Sequence, residues 1–445
     1  MNRYLNLADR FGGDLKSLDD LGRMPEDQLR IPKEDVEILR ELAKRKHEAA
    51  CLDVMDERRK LWTAANDMKM IKPPIYVDEI CWPEMNPDGE LTLHCKHWFA
   101  QEIEEILRHE LYCHDHGLGD IIVEDYIESP LVVYDSGFGI DEVVDIRRTD
   151  RNSEVVSRHF HILIKDMDDI HLIHEPEIHL DMERTYQYTE VLKEIFEDIL
   201  PVKIVGARGL WFTPFDYLIR VLGIQETMIN LYDEPEFVEA VVKRYVDCCM
   251  IRMEKYRELG IWASNNSSCR VGSGGYGLVS CLDEREKAPT HCDTMQMWGC
   301  GNAQIFTTVS PEMHMQFSLQ YEMEWLKQFG LNYYGCCEPL YHKMDLMDQI
   351  PRLRKVSMSP WNKFDLAAER CRGKYVMSCK PAPSIFAVGE LNEDVARADL
   401  RRILDQTEGC SLEIVMKDIS TVDYKPQKLW RWAQIAREEI DRKYN

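Results

Sequence analysis

Asn332-Tyr333-Tyr334-Gly335-Cys336-Cys337-Glu338-Pro339 closes a short apolar run, residues 329–334, with two thiols and a carboxylate. A run this short and aromatic reads as a buried strand, so the residues after it project from the strand's carboxyl end. Three later runs repeat the layout and end at Ser357-Met358-Ser359, Ser378-Cys379-Lys380 and Lys417-Asp418, with helical sequence around them. Polar residues gathered at one end of successive parallel strands are how a (β/α)8 TIM barrel builds its active site. Strands alternating with helices also require parallel pairing through right-handed crossovers.

Outward from that core, Met313, Phe317, Tyr321 and Trp325 recur every four residues and predict a helix with a core-facing stripe. Further helices are predicted over 366–370, 394–404 and 430–440. Upstream, a helix over 182–199, a strand at 202–206, helices over 216–231 and 235–259 and a strand at 261–263 keep the alternation. Gly272-Ser273-Gly274-Gly275-Tyr276-Gly277 lacks the flanking strand and helix of a dinucleotide loop and reads as a mobile loop over the pocket. Pro73-Pro74 starts a first inner strand, Ile75-Tyr76-Val77, which leads to Asp78, Glu79 and Trp82 as either a pocket wall or a solvated rim. Within residues 126–180, residues 134–139 have turn chemistry and 143–146 fit a short strand, while the rest is harder to place. His171, His174 and His179 lie there beside Glu175 and Glu177, a pattern commoner in a loop than in a metal site. The expected organisation is a helical N-terminal extension over 1–70 and a TIM barrel over 71–445.

The chain has 445 residues, with 79 acidic against 55 basic side chains and a net charge of -24. Nucleic-acid binding needs a concentrated basic surface, so no nucleic acid is expected. No stretch of eighteen apolar residues or leader-like start is present, which predicts a cytoplasmic protein with no membrane association. Fifteen cysteines, including the neighbours Cys248-Cys249 and Cys336-Cys337, read as reduced thiols rather than a disulfide framework.

Cys336, Cys337, Glu338 and Cys379 are the candidate metal ligands, with His342, His291 beside Asp293, and Asp418 able to approach from neighbouring strands. The alternative is that the adjacent cysteines pack behind the barrel rim. Strand alternation allows only one of Cys336 and Cys337 to face the pocket, and Cys337 with Glu338 is preferred. Glu338, His291, Asp418 and Lys417 are the candidate catalytic groups, although Lys417 and Lys380 suit internal ion pairs equally well. Trp82, Tyr334, Ser357 and Trp361 are the candidate substrate contacts, with Trp211 as a further aromatic.

The segments Trp298-Gly299-Cys300-Gly301-Asn302-Ala303-Gln304, Val309-Ser310-Pro311-Glu312-Met313-His314, Tyr334-Gly335-Cys336-Cys337-Glu338-Pro339-Leu340, Val356-Ser357-Met358-Ser359-Pro360-Trp361 and Lys417-Asp418-Ile419-Ser420-Thr421 resemble the uroporphyrinogen decarboxylase superfamily. The likeness is to its branch near the corrinoid-dependent methyltransferases and spans residues 185–442, with weaker similarity over 45–180. It implies a TIM barrel, dimeric in many of the decarboxylases, and hence a homodimer as an expectation. It also implies methyl transfer from a small methylated molecule, an ether or amine, to a corrinoid carried by a partner protein, with zinc as a cofactor. The His-x-Cys motif of the coenzyme M branch is matched by Tyr334-Gly335-Cys336 or Gly335-Cys336-Cys337, without the His, and its last-strand Cys by Met416-Lys417-Asp418. Residues 62–69 lack the paired arginines of the porphyrinogen decarboxylases, which leaves decarboxylation second and a non-catalytic binding barrel third.

Overall fold

The computed structural model describes residues 30–147, 157–208, 211–282 and 290–444, so residues 1–29 of the expected extension lie outside it. Its strands are β1 (Ile75–Val77), β2 (Ile127–Pro130), β3 (Val132–Asp135), β4 (Val144–Arg147), β5 (Ser157–Phe160), β6 (Ile178–Asp181), β7 (Val202–Val205), β8 (Trp298–Gly301), β9 (Leu331–Tyr334), β10 (Leu353–Met358), β11 (Val376–Cys379) and β12 (Ser411–Met416). Every predicted run from residue 298 onward is present. Their almost unbroken burial is what a parallel strand covered on both faces requires.

The expected closed eight-stranded barrel is found instead as a curled, open half-barrel of six parallel strands in the order β1-β12-β11-β10-β9-β8, with helices on its flank. A separate parallel pair, β2 and β7, is extended by a parallel bridge between Ala207 and Trp262. Across one opening a side chain replaces the ladder. The Asn265 amide donates to Trp298 O at 2.8 Å and accepts from Trp298 N at 2.8 Å, and it also donates to Arg208 O at 3.1 Å. Residues 126–181 hold two antiparallel pairs, β3 with β6 and β4, at the short strand expected over 143–146, with β5.

Two helical stretches, one in the extension and the one predicted over 216–231, are each divided. The first ends at Ala50 and restarts as Asp53–Asn66, and the second breaks at Gly223, whose φ of +79° no helix accommodates, into Pro214–Leu222 and Ile224–Asp233. Helix Lys33–Ala50 packs on helix Trp98–Asp115, and Trp62 of helix Asp53–Asn66 is wholly buried.

The glycine-rich loop is a plug in the sheet's interior, not a mobile lid. Ser273 Oγ lies 2.9 Å from the Tyr333 hydroxyl, Gly275 N donates to Glu413 Oε1 at 3.0 Å, and Asn66 Nδ2 donates to Tyr276 O and Leu278 O at 2.8 and 2.7 Å. Glycine is required because the backbone runs along aromatic rings: a Cβ on Gly275 would sit 2.3 Å from the Trp62 ring, and one on Gly272 2.3 Å from Tyr333. Beneath the plug Lys355 Nζ meets Glu413 Oε2 at 2.8 Å, both side chains without solvent exposure. Among the described residues no helix is long and apolar enough to cross a membrane.

Candidate active site

The carboxyl ends of β9, β10, β11, β12 and β1 bring Cys336, Ser357, Lys380, Lys417, Asp418 and Glu79 together. Gly335, at φ +98°, turns the chain after β9; a Cβ there would meet Leu340 and Ser357 at 2.5 and 2.9 Å. That turn breaks strand alternation, so both thiols reach the cluster. Cys336 is buried and Cys337 exposed, with their Sγ atoms 3.5 Å apart. Lys417 Nζ lies 3.7 Å from Cys336 Sγ, 3.3 Å from Glu79 Oε2 and 3.4 Å from Asp418 Oδ2, and Cys337 Sγ is 3.8 Å from Asp418 Oδ2. Glu79 and Asp418 both have positive φ, +48° and +58°. For non-glycine residues that conformation costs about 1–3 kcal/mol each and collects at functional sites.

The electrostatics follow from these contacts. The hydrogen bond from Cys337, then Lys417 and Lys380, outweigh burial and bring the Cys336 thiol down to about 6, while that same hydrogen bond and burial push Cys337 up. Burial would raise Glu79, but Lys417 and Arg270 hold it down at about 2. Asp418 is raised by burial and by the hydrogen bond it shares with Glu79. Burial would lower Lys417, yet Cys336, Glu79 and Asp418 raise it and keep an ammonium at the centre. Arg270 continues the network, meeting Glu79 Oε1 at 2.9 Å and also pairing with Asp78.

Asp78, Glu79 and Arg270 also wall a cavity of about 360 Å³, lined on other sides by Trp82, Tyr126 and Arg208. Trp82 is one of the lining residues, its ring stacked on His109 at 3.7 Å.

Several predicted site residues go elsewhere. Tyr334 faces the helices, its hydroxyl 2.6 Å from Glu322 Oε2 and 2.9 Å from His314 Nε2; its neighbour Tyr333 faces inward and accepts from Lys380 Nζ at 3.1 Å. Ser357 supports the site from beneath, donating to Cys336 O at 2.6 Å and accepting from Lys380 at 2.6 Å. Trp361 is 76% exposed and lines no part of the cavity. His291 bonds through its backbone to Gly260 O, at the amino end of the segment that meets Ala207, the opposite edge of the parallel strands. Cys379 is fully buried in the core between sheet and helices, where burial raises its thiol well above the ordinary value.

The expected zinc set therefore does not converge. Cys379 faces away, Glu338 Oε2 is taken by the Cys336 backbone N–H at 2.8 Å, and the Lys417 ammonium stands among Cys336, Glu79 and Asp418 where a metal would compete with it. Glu338 instead lies buried, pushed up to about 7 by burial and the nearby Cys336 charge. Among the described residues, the group able to coordinate a metal is His47, Cys51 and Asp125.

Behind Tyr334 lies a polar chain that the sequence pattern did not predict. Lys343 Nζ is 3.2 Å from His314 Nδ1, His314 reaches the Tyr334 hydroxyl, and that hydroxyl donates to Glu322. Burial lowers His314 to about 3 and raises Glu322 to about 8. The available sign was a His and a Glu eight residues apart on the apolar helix around Phe317.

No family model and no curated protein matches the chain. Among solved structures, a methyltransferase from Methanosarcina mazei aligns over 87% of this chain and 99% of its own, at 11% identity and a TM-score of 0.46.

Proposed function

We propose that this protein is a methyltransferase that moves a methyl group from a small methylated ether or amine to a corrinoid protein. The supporting observation is a lysine–thiol–carboxylate cluster at the carboxyl ends of parallel strands, joined through Glu79 and Arg270 to a half-open cavity with aromatic residues in its wall. The sequence resemblance supplies the reaction class. The cavity, about 360 Å³, lies at the small end of the roughly 300–1,000 Å³ range of small-molecule sites. That size favours a small donor over a four-pyrrole macrocycle, and so methyl transfer over decarboxylation.

When bound, the corrinoid supplies the nucleophile for the methyl carbon. This chain's task is to hold the donor and neutralise its leaving atom. Trp82 offers an aromatic face, and Arg270 and Arg208 are each tied to acids, Glu79 and Glu128, which keeps the cavity walls fixed. Lys417, kept charged by Cys336, Glu79 and Asp418, stands behind the wall residue Glu79 and stabilises the negative charge that develops on the leaving alkoxide, phenolate or amine. Asp418, raised in the folded state, delivers a proton from solvent. Glu338 fixes the Cys336 backbone through Oε2.

In this reading the half-barrel with β2 and β7 is a (β/α)8 barrel interrupted at two places, with 1–70 as its extension and 71–445 as the catalytic unit. The test is incubation with a panel of methyl ethers and methylamines and a reduced corrinoid protein. Methyl–cobalt formation with release of the demethylated product supports the assignment. Failure over the panel together with carbon dioxide release from porphyrinogens reverses it in favour of decarboxylation.

A further inference from the structure

Helix Lys33–Ala50 ends beside a set of ligating atoms that the chemistry above leaves unused. His47 and Cys51 are four residues apart, one helical turn, and so share a face. Asp125 approaches from the segment before β2. His47 Nδ1 lies 2.6 Å from Asp125 Oδ1, and Cys51 Sγ lies 3.9 Å from His47 Nδ1 and 3.7 Å from Nε2. One atom from each residue falls within 4.8 Å of the other two. A tetrahedral zinc bound at about 2.0–2.3 Å holds nitrogen, sulfur and oxygen ligands roughly 3.3–3.6 Å apart, so side-chain shifts of under about 1 Å complete the set.

The surroundings suit a cation. Cys51 caps the helix's carboxyl end, where the helix dipole is negative. The adjacent Lys46 turns away and is neutralised by Glu110 at 2.6 Å, so its charge does not oppose an ion at His47. Cys51 and Asp125 are exposed, which gives an ion a path in and leaves a fourth position to water. The neighbours on both elements, Lys46 on one side and Glu124 and Tyr126 on the other, line the cavity.

We propose that His47, Cys51 and Asp125 form a site for a borderline-soft divalent ion such as zinc, which staples helix Lys33–Ala50 to the segment walling the cavity. This site is separate from the thiols at the barrel mouth, and it stands whether or not the methyl-transfer reading holds.

Full-length protein purified without a metal-binding tag is titrated with cobalt(II) and then zinc. The expected result is one equivalent of cobalt with a thiolate-to-cobalt charge-transfer band, displaced by zinc, absent in Cys51→Ser and weakened tenfold or more in His47→Ala and Asp125→Asn. Cys337→Ser should bind as the wild type does. Retention of the band in Cys51→Ser, or its loss only in Cys337→Ser, overturns the proposal. As a second readout, zinc should raise the Tm of the wild type and not that of Asp125→Asn; an equal rise in both also overturns it.

Discussion

Replacing Cys337 with alanine removes the largest influence that lowers the Cys336 thiol, and the size of the effect follows from the structure. Cys336 is brought down to about 6 from an ordinary 9.0. At pH 7 a thiol titrating at about 6 is roughly 90% thiolate and one at 9.0 about 1%. The two thiols titrate as a pair, so the observable is the pair's first proton. The ultraviolet thiolate absorbance of wild type minus Cys336→Ser, followed across pH, isolates it even though Cys336 is buried. The wild-type difference should rise with a midpoint near 6. In Cys337→Ala the midpoint moves upward because the sulfur–sulfur hydrogen bond is gone, and in Lys417→Met it moves upward because the adjacent positive charge is gone. A wild-type midpoint near the free-thiol value of roughly 8.5 would refute the reasoning.

Gly275→Ala places a Cβ 2.3 Å from the Trp62 ring and should lower stability by about 1–3 kcal/mol, measured by urea unfolding. Glu413→Gln strands the Lys355 ammonium in the interior and should cost about 3–5 kcal/mol, whereas the double change Lys355→Met with Glu413→Leu should recover only part of that loss, because the Gly275 N–H loses its acceptor. Glu322 is raised to about 8 from 4.5, so the folded state holds a proton that the unfolded chain releases. Its contribution is full below 4.5 and is lost as pH rises through about 8, so stability should fall by a few kcal/mol at most over that span. Glu322→Gln should flatten the decline when unfolding is compared at the two ends.

The carboxyl half of the fold was legible because parallel strands buried on both faces leave short apolar runs that stop at polar residues, and residues 331–334, 353–358, 376–379 and 411–416 all do so. Residues 126–180 were legible only at the short strand near 144–147, because β3 finds its partner β6 more than forty residues away and no local period records that pairing. Alternation predicts that one of Tyr333 and Tyr334 faces inward without fixing the phase, and packing on His314 and Glu322 sets it against Tyr334. The same indeterminacy placed Cys379 in the site when it faces the helices. At Cys336 and Cys337 alternation itself fails, since the left-handed turn at Gly335 lets both sulfurs approach Lys417 and Asp418. The glycine run at 272–277 looked mobile from composition, whereas its glycines are there to let backbone pass against Tyr333 and Trp62.

The central claim is that Lys417, charged by its three partners, assists departure of the demethylated group. Its direct test is the rate of methyl–cobalt formation from an accepted donor by wild type and Lys417→Met, with donor binding measured separately. The expected result is rapid formation by the wild type, and in the variant a rate lower by about 10²–10⁴-fold with binding largely kept. An undiminished rate in Lys417→Met would contradict it.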